Sequence, residues 1–346
     1  MNKSPKASAS KHFSNLSSRG NEFLGSDVPI VGGAMSWVSE SSLVSSISNA
    51  GGFGVIACGS LSPSQLRLEI EKTQKLTKRP FGVNLITMHP ELNKLVDICK
   101  ETNISHVVLA GALPKAETII LLKNCDIKII TFAPSIAVAK RMIRAGSDAI
   151  VIEGSEAGGH VGPVSTSVLA QEILPIIKDV PVFVAGGIGR GEAMTMYLEM
   201  GASGIQMGTR FVCAKESIAH PNFKKRFLRA NSRDATLTIQ LDPRFPVIPV
   251  RAIENKGTEL FNQKQREIVL KFDSGKVNLK DAQLEIEHFW AGALKRAVID
   301  GDIENGSLMA GQGIGLVSKE QTLEEIIEEI VFQAVGSIEK KYLKNV

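Results

Sequence analysis

The sequence predicts an α/β fold, a (β/α)8 TIM barrel with an additional C-terminal, mainly helical lobe. Three observations predict it. Short runs rich in Val and Ile recur eight times in the first two thirds of the chain. Each run is nearly continuous rather than alternating, which is typical of parallel strands covered on both faces. Segments with helical spacing of apolar residues separate the runs, and most runs end in glycine.

The eight runs are the predicted barrel strands. In chain order they begin at Val28, Gly52, Pro80, His106, Ile127, Asp148, Val180 and Ala202. An open, doubly wound sheet is the alternative, because it also alternates strands with helices. The number of strands and the glycines that follow them favour the barrel.

The segments between the runs carry helix start and stop signals. The first, "SESSLVSSISNAG", opens with serines that could cap a helix and ends at a glycine. In the second, Ser62 precedes Pro63 at the start of a helical pattern. Two later segments end at Gly146 and Gly201, where glycine typically terminates a helix.

The chain divides into four predicted parts. Residues 1–25 are rich in Ser and basic residues and show no evident apolar face, so we expect a disordered tail rather than a signal or transit peptide. Residues 26–230 form the barrel. Residues 231–320 form an inserted lobe or lid that is irregular or strand-like at first and then helical. Residues 321–346 form a terminal helix that packs on the barrel and opens with "TLEE".

Composition excludes several classes of protein. A net charge of +4 over 346 residues does not favour a nucleic-acid-binding surface. No apolar run approaches the roughly 18 residues of a membrane span. The four cysteines lack metal-ligand spacing and no histidine pair has zinc-like spacing, so we expect reduced thiols and no metal site. We expect a cytoplasmic protein that binds a small-molecule substrate, and neither nucleic acid nor a membrane.

The residues at the carboxyl ends of the predicted strands are the candidate site, because TIM barrels place their active sites there. They are mostly small and uncharged, which suits a flat ligand lying against backbone amides. The candidates are Gly33, Ala34 and Met35 after the first strand, Asn84 after the third, Gly186 and Gly187 after the seventh, and Gly208 and Thr209 after the eighth.

The loops after the seventh and eighth strands predict a phosphate site. "VAGGIGRGE" and "QMGTRF" each follow a strand with small residues and lead into a helix, an arrangement whose free amides bind anions. The alternative is that these glycines only make tight turns. The first loop lacks the nicotinamide-dinucleotide fingerprint, because Glu192 occupies the position of the third glycine.

The stretch "EGSEAGGHVGP", residues 153–163, follows the sixth predicted strand. His160 would stand at the barrel mouth, where Gly158 and Gly159 let the backbone approach a ligand closely. Histidine can transfer a proton near neutral pH, so His160 is the candidate acid or base. A hydrogen-bonded structural histidine is the alternative, and His220 is a weaker catalytic candidate.

Three motifs together resemble the nitronate monooxygenase superfamily, formerly called 2-nitropropane dioxygenases. They are "PFGVNL", "EGSEAGGHVG" and "VFVAGGIGRGEAMTMYLEMGASGIQMGTRFVCAKES", and the resemblance covers about residues 28–335. This superfamily includes the flavin-dependent enoyl-acyl-carrier-protein reductase II. The resemblance implies FMN bound at the barrel mouth and His160 as the catalytic residue.

The resemblance also implies where each part of FMN lies. The phosphate would bind Gly187, Gly208 and Thr209. The ring would lie near the segment Gly33, Ala34 and Met35 and near Asn84, with Glu153, Gly158 and Gly159 on its other side. Gly186 and Gln206 complete the predicted cofactor-binding set.

Two activities are compatible with this resemblance. The first is oxidation of alkyl nitronates with O2. The alternative is NAD(P)H-dependent reduction of an enoyl thioester on an acyl carrier protein, to which "GTRFVCAKESIAHPNFK" and "GSLMAGQGIGLVSKEQT" are similar. Glu153 stands where monooxygenases often carry Gln, which weakens the nitronate interpretation. A flavin-binding barrel without turnover and a non-flavin phosphosugar enzyme are lesser alternatives.

An acyl carrier protein is acidic and would need a basic docking surface. A basic cluster follows the eighth predicted strand and is the candidate surface, although an ordinary solvated helix face has the same composition. Its members are Arg210, Lys215, Lys224, Lys225 and Arg226. A homodimer is a further expected assembly.

Overall fold

The computed structural model describes residues 5–111, 113–244 and 249–344. Its central element is an eight-stranded parallel sheet, and each predicted run supplies one strand, which confirms the fold class. The strands are β1 Ile30–Gly32, β2 Val55–Ala57, β3 Gly82–Ile86, β4 His106–Ala110, β5 Lys128–Phe132, β6 Ala149–Glu153, β8 Val182–Ala185 and β9 Gly204–Met207. The two-residue strand β7, Gly159–His160, lies outside this sheet.

The sheet closes into a barrel. The strand order is β1-β9-β8-β6-β5-β4-β3-β2, and a parallel bridge between Val31 and Phe53 joins the two ends. There the Gly32 amide donates to the Phe53 carbonyl at 2.9 Å, and the Phe53 amide donates to the Ile30 carbonyl at 2.9 Å. The doubly wound alternative is therefore wrong.

Helices alternate with the strands, as expected. They are α2 Ser41–Asn49, α3 Pro63–Leu76, α4 Leu92–Glu101, α5 Ala116–Lys123, α6 Ile136–Ala145, α7 Thr166–Ile173, α8 Gly191–Glu199, α9 Thr209–Val212 and α10 Pro221–Leu228. Ser62 and Gln65 form a capping box at the start of α3, and Gly146 ends α6 in the left-handed conformation. Glu40, and not one of the serines, caps α2, because its carboxylate accepts from the amides of Ser42 and Leu43.

The first helix of the chain differs from the predicted disordered tail. Residues Pro5–Leu24 form α1, and residues 1–4 lie outside the described residues. Its buried positions recur every three or four residues, at Ala9, Phe13, Ser17, Gly20 and Leu24. A Cβ at Gly20 would lie 1.9 Å from the Ser203 carbonyl oxygen, so the helix crosses the barrel in direct backbone contact.

The end of α1 closes the amino-terminal end of the barrel. The Phe23 carbonyl lies 2.9 Å from His106 Nε2 and accepts from Lys128 Nζ at 2.7 Å, and both partners are the first residues of their strands. Leu24 joins the side chains that fill the barrel interior, among them Phe53 and Phe183. Burial lowers the pKa of His106 to about 4. The opposite, carboxyl end is therefore the mouth available to a ligand.

The lobe combines helices with a small antiparallel sheet. Its long helices are α11 Lys256–Asp273 and α12 Leu279–Val298, and its strands are β10 Ala235–Leu237, β11 Val250–Ile253 and β12 Leu308–Met309. Strand β7 of the barrel loop pairs with β11, which joins the two parts of the molecule. Residues 245–248 of the predicted strand-like stretch lie outside the described residues. The terminal helix, α13 Leu323–Lys344, packs on α1 and α8.

Candidate functional site

The ends of β1 and β9 lie side by side at the mouth. The Gly33 amide donates to the Met207 carbonyl at 2.8 Å, and a Cβ on Gly33 would lie 3.6 Å from Gln206 Nε2. A Cβ on Gly208 would lie 3.4 Å from the sulfur of Met35. The structure thus brings together four of the predicted rim residues that are far apart in sequence.

The turn after β1 is fixed by Ser39. Its hydroxyl accepts from the Met35 amide and donates to the Gly33 carbonyl, each at 3.0 Å. Between them Ala34 packs against the barrel interior. These contacts hold the backbone of the turn in one position at the rim.

Asn84 is buried in the middle of β3, Gly82–Ile86, and does not follow the strand as predicted. Its side-chain amide nitrogen donates to the Val108 carbonyl on β4 at 3.1 Å, which fixes the orientation of the side chain. A polar group oriented in this way can select the polar edge of a ligand without adding charge.

The loop after β8 has a backbone that glycine makes accessible. Gly186 and Gly187 have φ angles of 106° and 68°, a region that other residues rarely adopt. Within the described residues, the backbone amides of Gly187, Gly208 and Thr209 donate no hydrogen bond to the chain. Unpaired amides from two adjacent loops can receive an anion such as a phosphate.

A segment of the lobe, residues 310–313, crosses these loops and is called the crossing segment. The Gly311 amide donates to Thr209 Oγ1 at 2.9 Å, and the Gln312 amide donates to the Glu156 carbonyl at 2.8 Å. A Cβ on Gly313 would lie 3.4 Å from the carbonyl carbon of Gly187. Sequence reasoning named no site residue in this segment, although the glycines of "AGQGIG" resemble those of the loops they cover.

His160 is held at the rim by the lobe. Its strand, β7, pairs antiparallel with β11, with His160 opposite Val250 and Gly159 opposite Arg251. The histidine side chain is exposed. The buried Arg251 donates from Nε to the Ser155 carbonyl at 2.7 Å and from Nη1 to the Ala235 carbonyl at 2.6 Å. Arg251, which sequence reasoning missed, therefore ties the histidine loop to the lobe.

Gly158 lies against the crossing segment. A Cβ there would be 2.6 Å from the Gly311 amide nitrogen and 2.7 Å from the Ala310 carbonyl carbon. Gly159 has a φ of 80° and passes the sulfur of Met309. The two glycines let three backbone segments meet at the mouth.

Glu153, the last residue of β6, is an acid enclosed in the mouth. Its carboxyl group makes no hydrogen bond to any other residue that the structure describes, and a minority of its surface stays accessible. Desolvation raises the pKa of Glu153 to about 7. This pKa lies close to the pKa of an ordinary histidine, so Glu153 can take up or release a proton near neutral pH.

Comparison with known proteins places the chain in a family. The family model described as nitronate monooxygenase matches residues 17–103 and 91–333. The chain belongs to the nitronate monooxygenase family. Proteins of this family are generally flavin-dependent oxidoreductases.

Proteins similar to this chain carry names that describe different activities. A carboxyl-CoA dehydrogenase of Rhodococcus jostii, named for a hydroxy-methyl-oxo-octahydroindene substrate, is 30% identical, covering 92% of this chain and 96% of the relative. A probable nitronate monooxygenase of Staphylococcus saprophyticus is 28% identical, covering 92% and 98%. The solved structure of FabK from Thermotoga maritima is 33% identical with a TM-score of 0.83, covering 94% of this chain and 98% of FabK.

The site of this family member fits a flavin phosphate. The amides of Gly187 and Gly208, which follow β8 and β9, are unpaired within the described residues, and Gly187 is exposed. Charge is not required of the protein side chains there, because amide dipoles alone stabilise an anion.

Two predictions about basic and titratable residues need correction. The Nδ1 atom of His220 accepts from the Asn222 amide and caps α10, and its ring packs against Gly301, so His220 has a structural role. In the basic cluster, Arg210 and Lys224 are buried. Lys224 Nζ donates to the Ala214 carbonyl at 2.7 Å. The five-residue docking surface predicted from the sequence is therefore wrong.

Two absences concern only the part of the chain that the structure describes. It contains no group of three or more His, Cys, Asp or Glu side chains that could hold a metal ion. No helix there is long and apolar enough to cross a membrane.

Proposed function

We propose that this protein is an FMN-dependent oxidoreductase that uses NAD(P)H to reduce an unsaturated acyl thioester. The observation that carries the proposal is Glu153, a carboxyl group enclosed in the mouth with no cationic partner among the described residues. A nitronate is an anion and would be disfavoured by an acidic group without a cationic partner, whereas a thioester is uncharged at its reacting carbons. The names of two relatives at 30% identity or more, a CoA-ester dehydrogenase and FabK, support the same substrate class.

The residues of the mouth would hold the cofactor in defined ways. When bound, FMN would supply the acceptance and donation of hydride. The amides of Gly187, Gly208 and Thr209 would bind its phosphate. Gly33 and Asn84 would border the ring on one side, and the Gly158–Gly159 backbone would border it on the other.

His160 would carry the proton of the reaction. Reduction of an enoyl thioester adds hydride at the carbon remote from the carbonyl and a proton at the carbon next to it. A ring nitrogen of His160 would deliver that proton, directly or through water. Pairing with β11 and the two bonds of Arg251 position the loop for this role.

Oxidation of nitronates with O2 is the second candidate. The name of the matching family model and the relative of Staphylococcus saprophyticus favour it. His160 would then act as base toward a neutral nitroalkane or orient the anion.

Anaerobic spectroscopy separates the two candidates. We expect the purified protein to be yellow and to release FMN rather than FAD, as identified by mass spectrometry. NADH or NADPH should bleach the flavin without oxygen, and crotonyl-CoA or a crotonyl-acyl carrier protein should restore the colour. Bleaching by propyl nitronate but not by NAD(P)H would establish the nitronate activity instead.

The variant His160→Ala tests the proton-transfer role. We expect turnover to fall about 10²- to 10⁴-fold, the usual contribution of a positioned acid or base. The FMN content should stay at the wild-type level, because the phosphate is held elsewhere. Near-normal turnover would show that His160 is structural, and loss of FMN would show that it binds the cofactor.

A further inference from the structure

Arg210 links the two loops that would bind phosphate. It follows Gly208 and Thr209 directly and is buried. Its Nη1 atom donates to the Gly189 carbonyl at 2.6 Å, and Gly189 belongs to the loop of Gly186 and Gly187. One side chain of α9, the helix that follows β9, thus fixes the backbone after β8.

The other side of the Arg210 guanidinium contacts the terminal helix. Its Nη2 atom lies 2.6 Å from Glu329 Oε2 and 3.3 Å from Gln321 Oε1. Glu329 Oε1 in turn accepts from Gln333 Nε2 at 2.9 Å. Gln333 Oε1 accepts from the Gly191 amide at 2.9 Å.

These contacts connect the two ends of the segment from Gly189 to Gly191. This segment belongs to the loop after β8, residues 186–191, which we call the glycine loop. The path of contacts runs from the Gly189 carbonyl through Arg210, Glu329 and Gln333 to the Gly191 amide, so α13 holds both backbone groups. A buried ion pair is weak evidence of stabilisation, because desolvation offsets the attraction. A planar guanidinium that spans a carbonyl and a carboxylate instead fixes geometry.

We propose that Arg210, Glu329 and Gln333 are positioning residues through which α13 sets the affinity of the glycine loop for the phosphate of FMN. The inference rests on the proposed FMN binding and not on the reaction. It explains why a residue expected at a docking surface is buried. It also makes α13 part of the cofactor site, although α13 itself supplies none of the amides that would bind the phosphate.

Exchange of FMN for riboflavin tests this role, because riboflavin lacks the phosphate. Wild-type holoenzyme and each variant are incubated with excess riboflavin, and the bound flavins are quantified by chromatography. We expect Arg210→Lys, which shortens the reach to Gly189, to lower the FMN-to-riboflavin affinity ratio about tenfold, the effect of losing a hydrogen bond to a charged group. Gln333→Met, which releases Gly191 without changing charge, should lower it in the same direction.

Glu320→Gln is the matched control. Glu320 precedes α13 and lies 3.9 Å from Lys224, so this change removes a carboxylate from the same region without touching the loop. We expect it to leave the ratio unchanged. A cavity of about 170 Å³ borders Arg210, Gln321 and Glu329 and can admit water to a shortened side chain, which favours folding of the variants. Circular dichroism verifies the fold, and Gln333→Met decides the matter if Arg210→Lys does not fold.

The outcomes separate this inference from the proposed cofactor. A wild type that prefers FMN and variants that lose the preference support it. A wild type that prefers FMN and variants that keep the full preference overturn it and leave FMN as the cofactor. Variants that weaken FMN and riboflavin equally also overturn it, because the effect is then general destabilisation. A wild type without any preference overturns both.

Discussion

Glu153 shows how one enclosed side chain couples the site to stability. Its pKa is raised from the ordinary 4.5 to about 7 because burial disfavours the charged form. Between these values the folded protein keeps a proton that the unfolded chain has lost. The free energy of unfolding therefore falls as the pH rises through this window, and the cost persists above it. At 1.36 kcal/mol for each pKa unit, the upper limit is about 3 kcal/mol.

We expect Glu153→Gln to raise the melting temperature at pH 8 and to change it much less at pH 5. Glutamine keeps the size of the side chain and never ionises. Glu192→Gln is the control, because its carboxylate is hydrogen-bonded to Arg190 and the pKa of Glu192 is lowered. That variant should show no gain at pH 8. An equal gain from Glu153→Gln at both pH values would contradict the ionisation argument.

Single residues of the site differ in how far sequence reveals them. The position of rim residues such as Gly33 and Thr209 could be predicted, because the carboxyl ends of parallel strands meet on one side of the barrel. Sequence reasoning assigns Arg210 to a docking surface, because its pairing with Glu329 on the last helix is a tertiary contact. Arg251 likewise acts through a carbonyl of a distant loop, at Ser155. Such roles depend on tertiary contacts that no local pattern carries.

At the scale of elements, the mouth is built by backbone segments in direct contact. The loop between β6 and β7 touches the stretch after β12 at Gly158, where a Cβ would lie 2.6 Å from the Gly311 amide nitrogen. Neither side is the flexible end of a side chain, so any larger residue must move one of the segments.

We therefore expect Gly158→Ala to lower the free energy of unfolding by about 1 to 3 kcal/mol, the usual cost of overpacking. It should also reduce the FMN retained through purification, because Gly311 contacts Thr209 of the predicted phosphate site. Gly162→Ala, two residues after β7 and with nothing within 4 Å of the new Cβ, is the matched control. Equal flavin content in both variants would show that the loop tolerates displacement.

Strands that are buried on both faces could be predicted from the sequence. The eight barrel strands are covered on both faces, so their sequences are continuous apolar runs. Strands β7 and β12 have two residues each, and β10 has three, too few to show a period. The first helix escaped prediction because two of its five buried positions are Ser17 and Gly20, which hide the helical stripe.

At the scale of the whole molecule, α1 closes one end of the barrel. The carbonyl of Phe23 lies against His106 and Lys128 at the amino-terminal end, and the candidate site occupies the opposite end. The pKa of His106 is lowered to about 4 by burial, so its ring stays neutral beneath the barrel at physiological pH. The helix that closes the barrel and the candidate site therefore lie at opposite ends of the barrel axis, as is typical of this fold.

This separation makes α1 a structural element that lies away from His160 and contacts the candidate site indirectly, through α13. Phe13 is 7% exposed and packs in the main apolar cluster, so Phe13→Ala should lower the free energy of unfolding in urea by about 3 kcal/mol. Turnover per bound FMN at 25 °C should stay at the wild-type level, since the change lies on the helix that closes the other end. Asn15→Ala, on the exposed face two residues away, should change neither. A disordered tail would make both substitutions neutral, so a difference between them in the unfolding experiment is the signature of a docked helix.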